Sequence, residues 1–206
     1  MDNVESTCGA EQSARGYSLI ELLFVVGFVG TITAIAVPMM GNTFGSFRLI
    51  GDARGIRNEI SLARMQAAAN FTRARLYVDL ATRSYHTETW QSTGVPAWIA
   101  QDGARYLSSA VEQFSYGPVA APPLNTQATI GQAPPCRDAA GAVIVNTACI
   151  VFNSRGIPVD SSGAPTAVNA LYVSDGTAVF GTTVSATSIV RLWRANPSAG
   201  ATWVLQ

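Results

Sequence analysis

The chain is 206 residues long, enough for one ordinary domain and an appendage but short for two. Hydrophobic residues make up 48% and charged residues 13%; that is about half the charge of a typical soluble domain, so part of the chain is expected to sit out of water. Thirteen arginines, with no lysine, balance thirteen acidic residues, so net charge gives no ground for nucleic acid or an anionic surface as partner. The single histidine, His86, leaves little room for histidine-based catalysis or metal chemistry.

The N-terminal region carries the strongest signal. Leu22 to Met40 reads LLFVVGFVGTITAIAVPMM, without a charge. At ~1.5 Å per residue it spans ~28 Å as a helix, about the thickness of a bilayer core. A secretory signal peptide has a shorter apolar core followed by a small-residue cleavage site, and neither feature is present. Glu21 stands at the start of this run. A carboxylate near hydrocarbon costs on the order of 2.5–3.5 kcal/mol toward a helix centre and less at the interface, which marks it as a functional candidate.

Ahead of it lies Arg15-Gly16-Tyr17-Ser18-Leu19-Ile20-Glu21. A polar leader ending in glycine, an aromatic residue, glutamate four positions on and then an apolar helix resemble the type IV prepilin signature. The resemblance implies that a prepilin peptidase cuts between Gly16 and Tyr17 on the cytoplasmic face and N-methylates Tyr17. It implies that the Glu21 carboxylate neutralises the Tyr17 amine of a neighbouring subunit when the apolar helices bundle in a filament. Paired, the two charges are tolerable in a low dielectric; alone, either would cost several kcal/mol. Gly30 and Pro38 stand where pilins commonly interrupt this helix, proline removing one backbone hydrogen bond. Two features depart from the pattern. Tyr17 replaces the usual phenylalanine, and the leader is acidic, with Asp2, Glu5 and Glu11 against Arg15. With Arg48, Arg54 and Arg57 downstream, a positive-inside count would orient the segment the other way.

Beyond Pro38, Leu49, Ala53, Ile56, Ile60, Ala63 and Ala67 alternate spacings of four and three, one face of an amphipathic helix. Arg54 and Glu59 are expected opposite, toward solvent, with Arg57 and Arg64, and Asn70 is expected to close the helix. From Phe71 onward short β-type runs are separated by turn residues: Arg75–Leu80, Ala148–Phe152, Ala170–Ser174 and Ser188–Trp193. Pro118 to Pro135, rich in Ala, Pro, Gln and Thr, reads as a long surface loop. Cys8 precedes the apolar segment, whereas Cys136 and Cys149 follow it. If the chain crosses a membrane between them, the late pair occupies an oxidising compartment and Cys8 a reducing one. A Cys136–Cys149 bridge would contribute roughly 3 kcal/mol; two unpaired buried thiols are the alternative.

The expected fold is therefore α+β, a pilin fold with a long N-terminal helix packed on an antiparallel β-sheet head. The parts are a leader (1–16), an apolar transmembrane or filament-core helix (17–41), an amphipathic helix (42–70) and a periplasmic head (71–206). Leu62-Ala-Arg-Met-Gln-Ala67 followed by the Arg75–Leu80 strand, and Val151-Phe-Asn-Ser-Arg-Gly-Ile-Pro158, resemble the GspH/FimT family of minor pilins and pseudopilins. Val190-Arg-Leu-Trp-Arg194 fits its closing strand. This implies a subunit of a type IV pilus, at or near the tip, that helps to initiate assembly, or a pseudopilin of a type II secretion system. The implied partners are the prepilin peptidase, other pilins or pseudopilins, the inner-membrane assembly platform and, before assembly, membrane lipid. The location is the bacterial inner membrane, single-pass, with the head periplasmic.

Some FimT-type pilins bind DNA through arginines in a Gly-Arg-x-Arg pattern. Here Arg191 and Arg194 lack that glycine and are three apart, which places them on opposite faces of a strand. Loss of the leader leaves twelve basic and ten acidic residues, and a charge near +2 argues little for phosphate binding. His86, in Tyr85-His-Thr-Glu-Thr-Trp90, has neither zinc-ligand partners nor a Gly-x-Ser-x-Gly nucleophile motif to serve. No catalytic residue, metal or cofactor is expected. Trp90, Trp98, Trp193 and Trp203 are expected as core or interface aromatics, not as a ligand cage.

Overall fold

The computed structural model describes residues 18–206, with the side chains of residues 38–44 excepted. The chain divides into two units between Thr43 and Phe44.

The first unit belongs to helix α1 (Leu19–Ala69). The Ser18 carbonyl accepts the amides of Glu21 and Leu22 at 3.0 and 3.1 Å, which makes Ser18 the residue that starts the helix. Leu19–Val37 has a mean hydropathy of 2.3 and no burial, and is long and apolar enough to cross a membrane. The hydroxyls of Thr31 and Thr33 donate to the carbonyls of Phe28 and Val29, so these two side chains are satisfied within the helix itself. Neither Gly30 nor Pro38 ends α1, whose helical backbone continues through both. Proline deletes one donor, and the surrounding bonds sustain the helix.

The second unit, from Phe44, is built around the remainder of α1. Leu49, Ala53, Ile56, Ile60, Ala63 and Ala67 are each at most 1% exposed, the stripe expected from their spacing. Glu59 departs from expectation. It is 2% exposed, because position 59 lies three residues after Ile56 and four before Ala63, on the same stripe. The helix terminates as a Schellman turn in which the Thr72 amide donates to the Ala67 carbonyl at 3.2 Å. The left-handed residue of that turn is Phe71 (φ 50), not Asn70.

Two antiparallel sheets follow. The first takes β1 (Ala74–Asp79), β2 (Ser84–Gln91), β3 (Ala97–Ala100), β5 (Thr147–Phe152) and β6 (Pro158–Val159) in the order β3-β2-β1-β5-β6, and β4 (Arg105–Tyr106) also pairs with β2. The second takes β7 (Asn169–Ser174), β8 (Val179–Val184), β9 (Val190–Ala195) and β10 (Val204–Leu205) in the order β10-β9-β8-β7. Four of these strands lie within two residues of the expected runs, and residues 118–135 form no strand. The inner faces of both sheets close over α1. Leu76 and Val78 of β1, Ile150 and Phe152 of β5, Leu171 and Val173 of β7, Phe180 of β8 and Leu192 of β9 join the helix stripe in one core. The architecture is the expected α+β arrangement of a helix packed on antiparallel sheet.

The long loop has a structural duty. The side-chain amide of Gln132 donates to the Tyr172 carbonyl and accepts the Tyr172 amide, both at 2.9 Å, which occupies the outer edge of β7. A smaller cluster forms on the far face of the second sheet, where Tyr172 packs with Val119, Ala170, Val179 and Trp203.

Candidate functional site

The residues expected to act in processing and assembly belong to the N-terminal unit. Gly16 and Tyr17 lie outside the described residues. Glu21 is exposed in the first turn of α1, three positions after Ser18. Ser18 and Glu21 thus have the three-residue spacing of a capping box.

In the head, Cys136 and Cys149 are joined by a disulfide with a Cα–Cα distance of 4.9 Å. Cys149 is on β5, and the bond ties the loop around Pro134–Arg137 to the outer face of the first sheet. Arg191 and Arg194 are both exposed on β9, but the register sets Arg191 beside Thr183 and Arg194 beside Phe180, a core residue. The two arginines therefore stand on opposite faces of the sheet. His86 is half-buried and packs on Tyr77 with ring centroids 5.0 Å apart, its Nε2 3.1 Å from Glu88 Oε1. Among the described residues, no cluster of histidine, cysteine or acidic side chains is disposed to hold a metal ion.

Two arrangements emerge that the sequence did not expose. The first lies between α1 and the first sheet. Thr87 donates to Glu59 Oε1 at 2.9 Å, and Arg105 reaches Glu59 Oε2 at 3.5 Å. Two turns earlier on α1, Asp52 accepts the Ser108 amide and hydroxyl at 2.6 and 2.7 Å. Glu112, 1% exposed, lies close enough to Asp52 to feel its charge. Burial, then the hydrogen bond to Asp52 and its charge, push the Glu112 carboxyl up to about 8. Tyr85 is pushed up to about 12, chiefly by burial and next by Asp52. Gly55 makes room for it: a Cβ there would lie 2.7 Å from the Tyr85 hydroxyl.

The second arrangement is a cavity of about 410 Å³ on the outer face of the first sheet. Strand alternation builds it. Ala74, Leu76 and Val78 of β1 point into the core, which leaves Arg75 and Tyr77 outward. Register brings Arg75 opposite Glu88, and Trp90 opposite Trp98. The Arg75 guanidinium lies 2.5 Å from Glu88 Oε2, donates to the Arg137 carbonyl at 2.5 Å and sits 4.1 Å from the Trp98 ring centroid. Burial pulls Arg75 below its ordinary value, with Glu88 opposing. For Glu88, burial acts to raise the carboxyl, but the His86 hydrogen bond and the Arg75 charge together bring it below the usual range. Arg73 is exposed, with its guanidinium 4.6 Å from the Trp90 centroid and 5.7 Å from that of Trp98. Asn169, at the start of β7, lines the same cavity and is 3% exposed, yet its Nδ2 donor has no partner. Trp90 and Trp98, expected as core or interface aromatics, are thus half-buried wall residues outside the core. The alternation Arg73-x-Arg75-x-Tyr77 against His86-x-Glu88-x-Trp90 was the available signal.

No protein-family model matches this chain, and no curated protein matches it in sequence. Among solved structures it is similar to the minor pseudopilin EpsH from the type 2 secretion system of Vibrio cholerae, with 11% sequence identity, a TM-score of 0.35, and coverage of 77% of this chain and 96% of that one.

Proposed function

We propose that this chain is a minor pilin or pseudopilin: a membrane-held precursor, cut between Gly16 and Tyr17 and methylated at Tyr17, whose mature form enters a pilus or pseudopilus filament. The observation that carries this reading is the contrast along α1. Leu19–Val37 is wholly unburied and apolar, while the stripe from Leu49 to Ala67 is the centre of a packed head. An exposed apolar surface of that extent requires lipid or other apolar helices to cover it. The prepilin-type motif at Gly16, Tyr17 and Glu21 adds the means of passing from one cover to the other.

In this reading the precursor sits in the bacterial inner membrane with its head periplasmic. The prepilin peptidase, the assembly platform and neighbouring pilins or pseudopilins are its partners. Glu21 neutralises a neighbour's Tyr17 amine, a buried pair in which the loss of one charge strands the other. Gly30 and Pro38 lower the cost of local helix adjustment as the segment leaves lipid. The role is structural, at or near the filament tip at the start of assembly, and no catalysis is assigned. Arg191 and Arg194, on opposite faces of β9, do not favour DNA binding through that pair.

Intact mass of the full chain, expressed with and without a prepilin peptidase, tests the proposal. The expected product begins at Tyr17 and carries one added methyl group. An uncut chain, beside a processed control substrate, would refute it. Glu21→Gln keeps the size of the side chain and an oxygen that accepts hydrogen bonds, and removes the charge. It should leave processing intact and abolish filament incorporation, read by shearing and immunoblotting; incorporation at the wild-type level would exclude the charge-pair role.

A further inference from the structure

We propose that the outer cavity of the first sheet binds a saccharide unit bearing a single carboxylate. This goes beyond the filament role and does not depend on it. The cavity, about 410 Å³, is within the range of small-ligand sites, and the Cys136–Cys149 bond holds one of its walls in place.

Among the described residues, one buried donor inside it lacks an acceptor. Asn169 Nδ2 is buried and unpartnered, which costs about 1–3 kcal/mol unless a ligand brings an oxygen to it. Glu88 and the Arg137 carbonyl already engage Arg75. Arg73 stands exposed over the two indoles and makes no ion pair among the described residues. A guanidinium held on aromatic faces keeps its in-plane N–H edge for a carboxylate. Arg137 stands at the lip, donating to the Gly141 carbonyl at 2.7 Å.

The balance of charge selects among anions. Asp138 and Asp160, each at the head of its own tight turn, set two carboxylates on the lining against Arg73 and Arg137. With the Arg75–Glu88 pair neutral, the net charge is near zero, which disfavours a polyanion such as nucleic acid. It suits a ligand with one carboxylate for the arginines and several hydroxyls to donate to the aspartates. Trp90 and Trp98 supply the apolar wall on which the C–H face of a sugar ring can lie.

The test is titration of the full chain in detergent micelles with the monosaccharide galacturonate, followed by tryptophan fluorescence and calorimetry. The neutral sugar galactose and an oligothymidylate serve as comparators. Saturable binding of galacturonate at low millimolar concentration or tighter is expected, with both comparators weaker by about tenfold or more. Arg73→Met, which keeps apolar contact with the indoles, should weaken binding by about tenfold at unchanged Tm, and Arg191→Ala should leave it unchanged. No saturable signal with galacturonate overturns the proposal. So does equal binding of galactose, tighter binding of oligothymidylate, or an Arg73→Met variant that binds as the wild type does.

Discussion

The carboxyl pair under α1 makes a sharp prediction about pH. In the folded chain Glu112 titrates at about 8, against an ordinary value of 4.5. Below the lower value both states carry the proton and nothing depends on pH. Between the two, the folded state keeps a proton that the unfolded state has released, so stability falls as pH rises. Above the folded value the curve flattens again. The slope attributable to this one group is at most about 1.4 kcal/mol per pH unit. Glu112→Gln removes the titration and keeps a donor for Asp52 at every pH. Urea unfolding of the full chain in detergent, at about pH 5 and about pH 8, should give matching stabilities for the two proteins at the lower value. At the higher value the variant should be the more stable by at least about 1 kcal/mol. Comparing the proteins cancels the other titrating groups. Parallel curves across that window would show that Glu112 is ionised in the folded chain, and the account of a raised Glu112 carboxyl would fail.

Three further outcomes follow from local geometry. Phe71 holds a left-handed conformation at 85% exposure, so Phe71→Gly loses little packing and relieves about 1–2 kcal/mol of backbone cost, against about 0.5–1 kcal/mol of added chain entropy. A net rise in urea midpoint is expected, and a fall would mean that the phenyl ring is held by a contact. Gly181→Ala places a Cβ 2.7 Å from Cε1 of fully buried Tyr172, with Trp203 behind it; a loss of about 1–3 kcal/mol in thermal unfolding should result, and an unchanged Tm would show that the ring can yield. Cys136→Ser with Cys149→Ser opens a link between residues 13 apart and should lower stability by about 3 kcal/mol, whereas a reductant-insensitive wild-type midpoint would argue against the bond.

The parts of this molecule that depend on near neighbours in the chain could be read before the fold was known. The helix stripe from Leu49 to Ala67 is a matter of spacing, and each of its six expected residues is buried. The strands at β1, β5, β7 and β9 followed from β-branched and aromatic runs between turn residues. Where one local rule stood against another, the reading failed. Glu59 was assigned to water because it is charged, although its position on the stripe fixes it inward, where Thr87 and Arg105 meet it. Asn70 is expected to close the helix because asparagine tolerates the left-handed conformation, yet the bond from Thr72 to Ala67 closes the turn one residue later.

The candidate cavity was hidden for a different reason. Its polar contacts join residues far apart: Arg75 meets Glu88 across 13 positions and Arg137 across 62. Asp52 and Ser108, 56 positions apart, show the same on the inner face. Such pairs depend on sheet register, and a slip of one residue would turn every outward side chain inward. Burial of Leu76 and Val78 against α1 specifies the register of β1, and that register presents Arg75 to Glu88 on the opposite face. The same apolar pattern that builds the core therefore sets the geometry of the polar face. A substitution in the stripe that shifted β1 would dismantle the cavity without touching a residue that lines it.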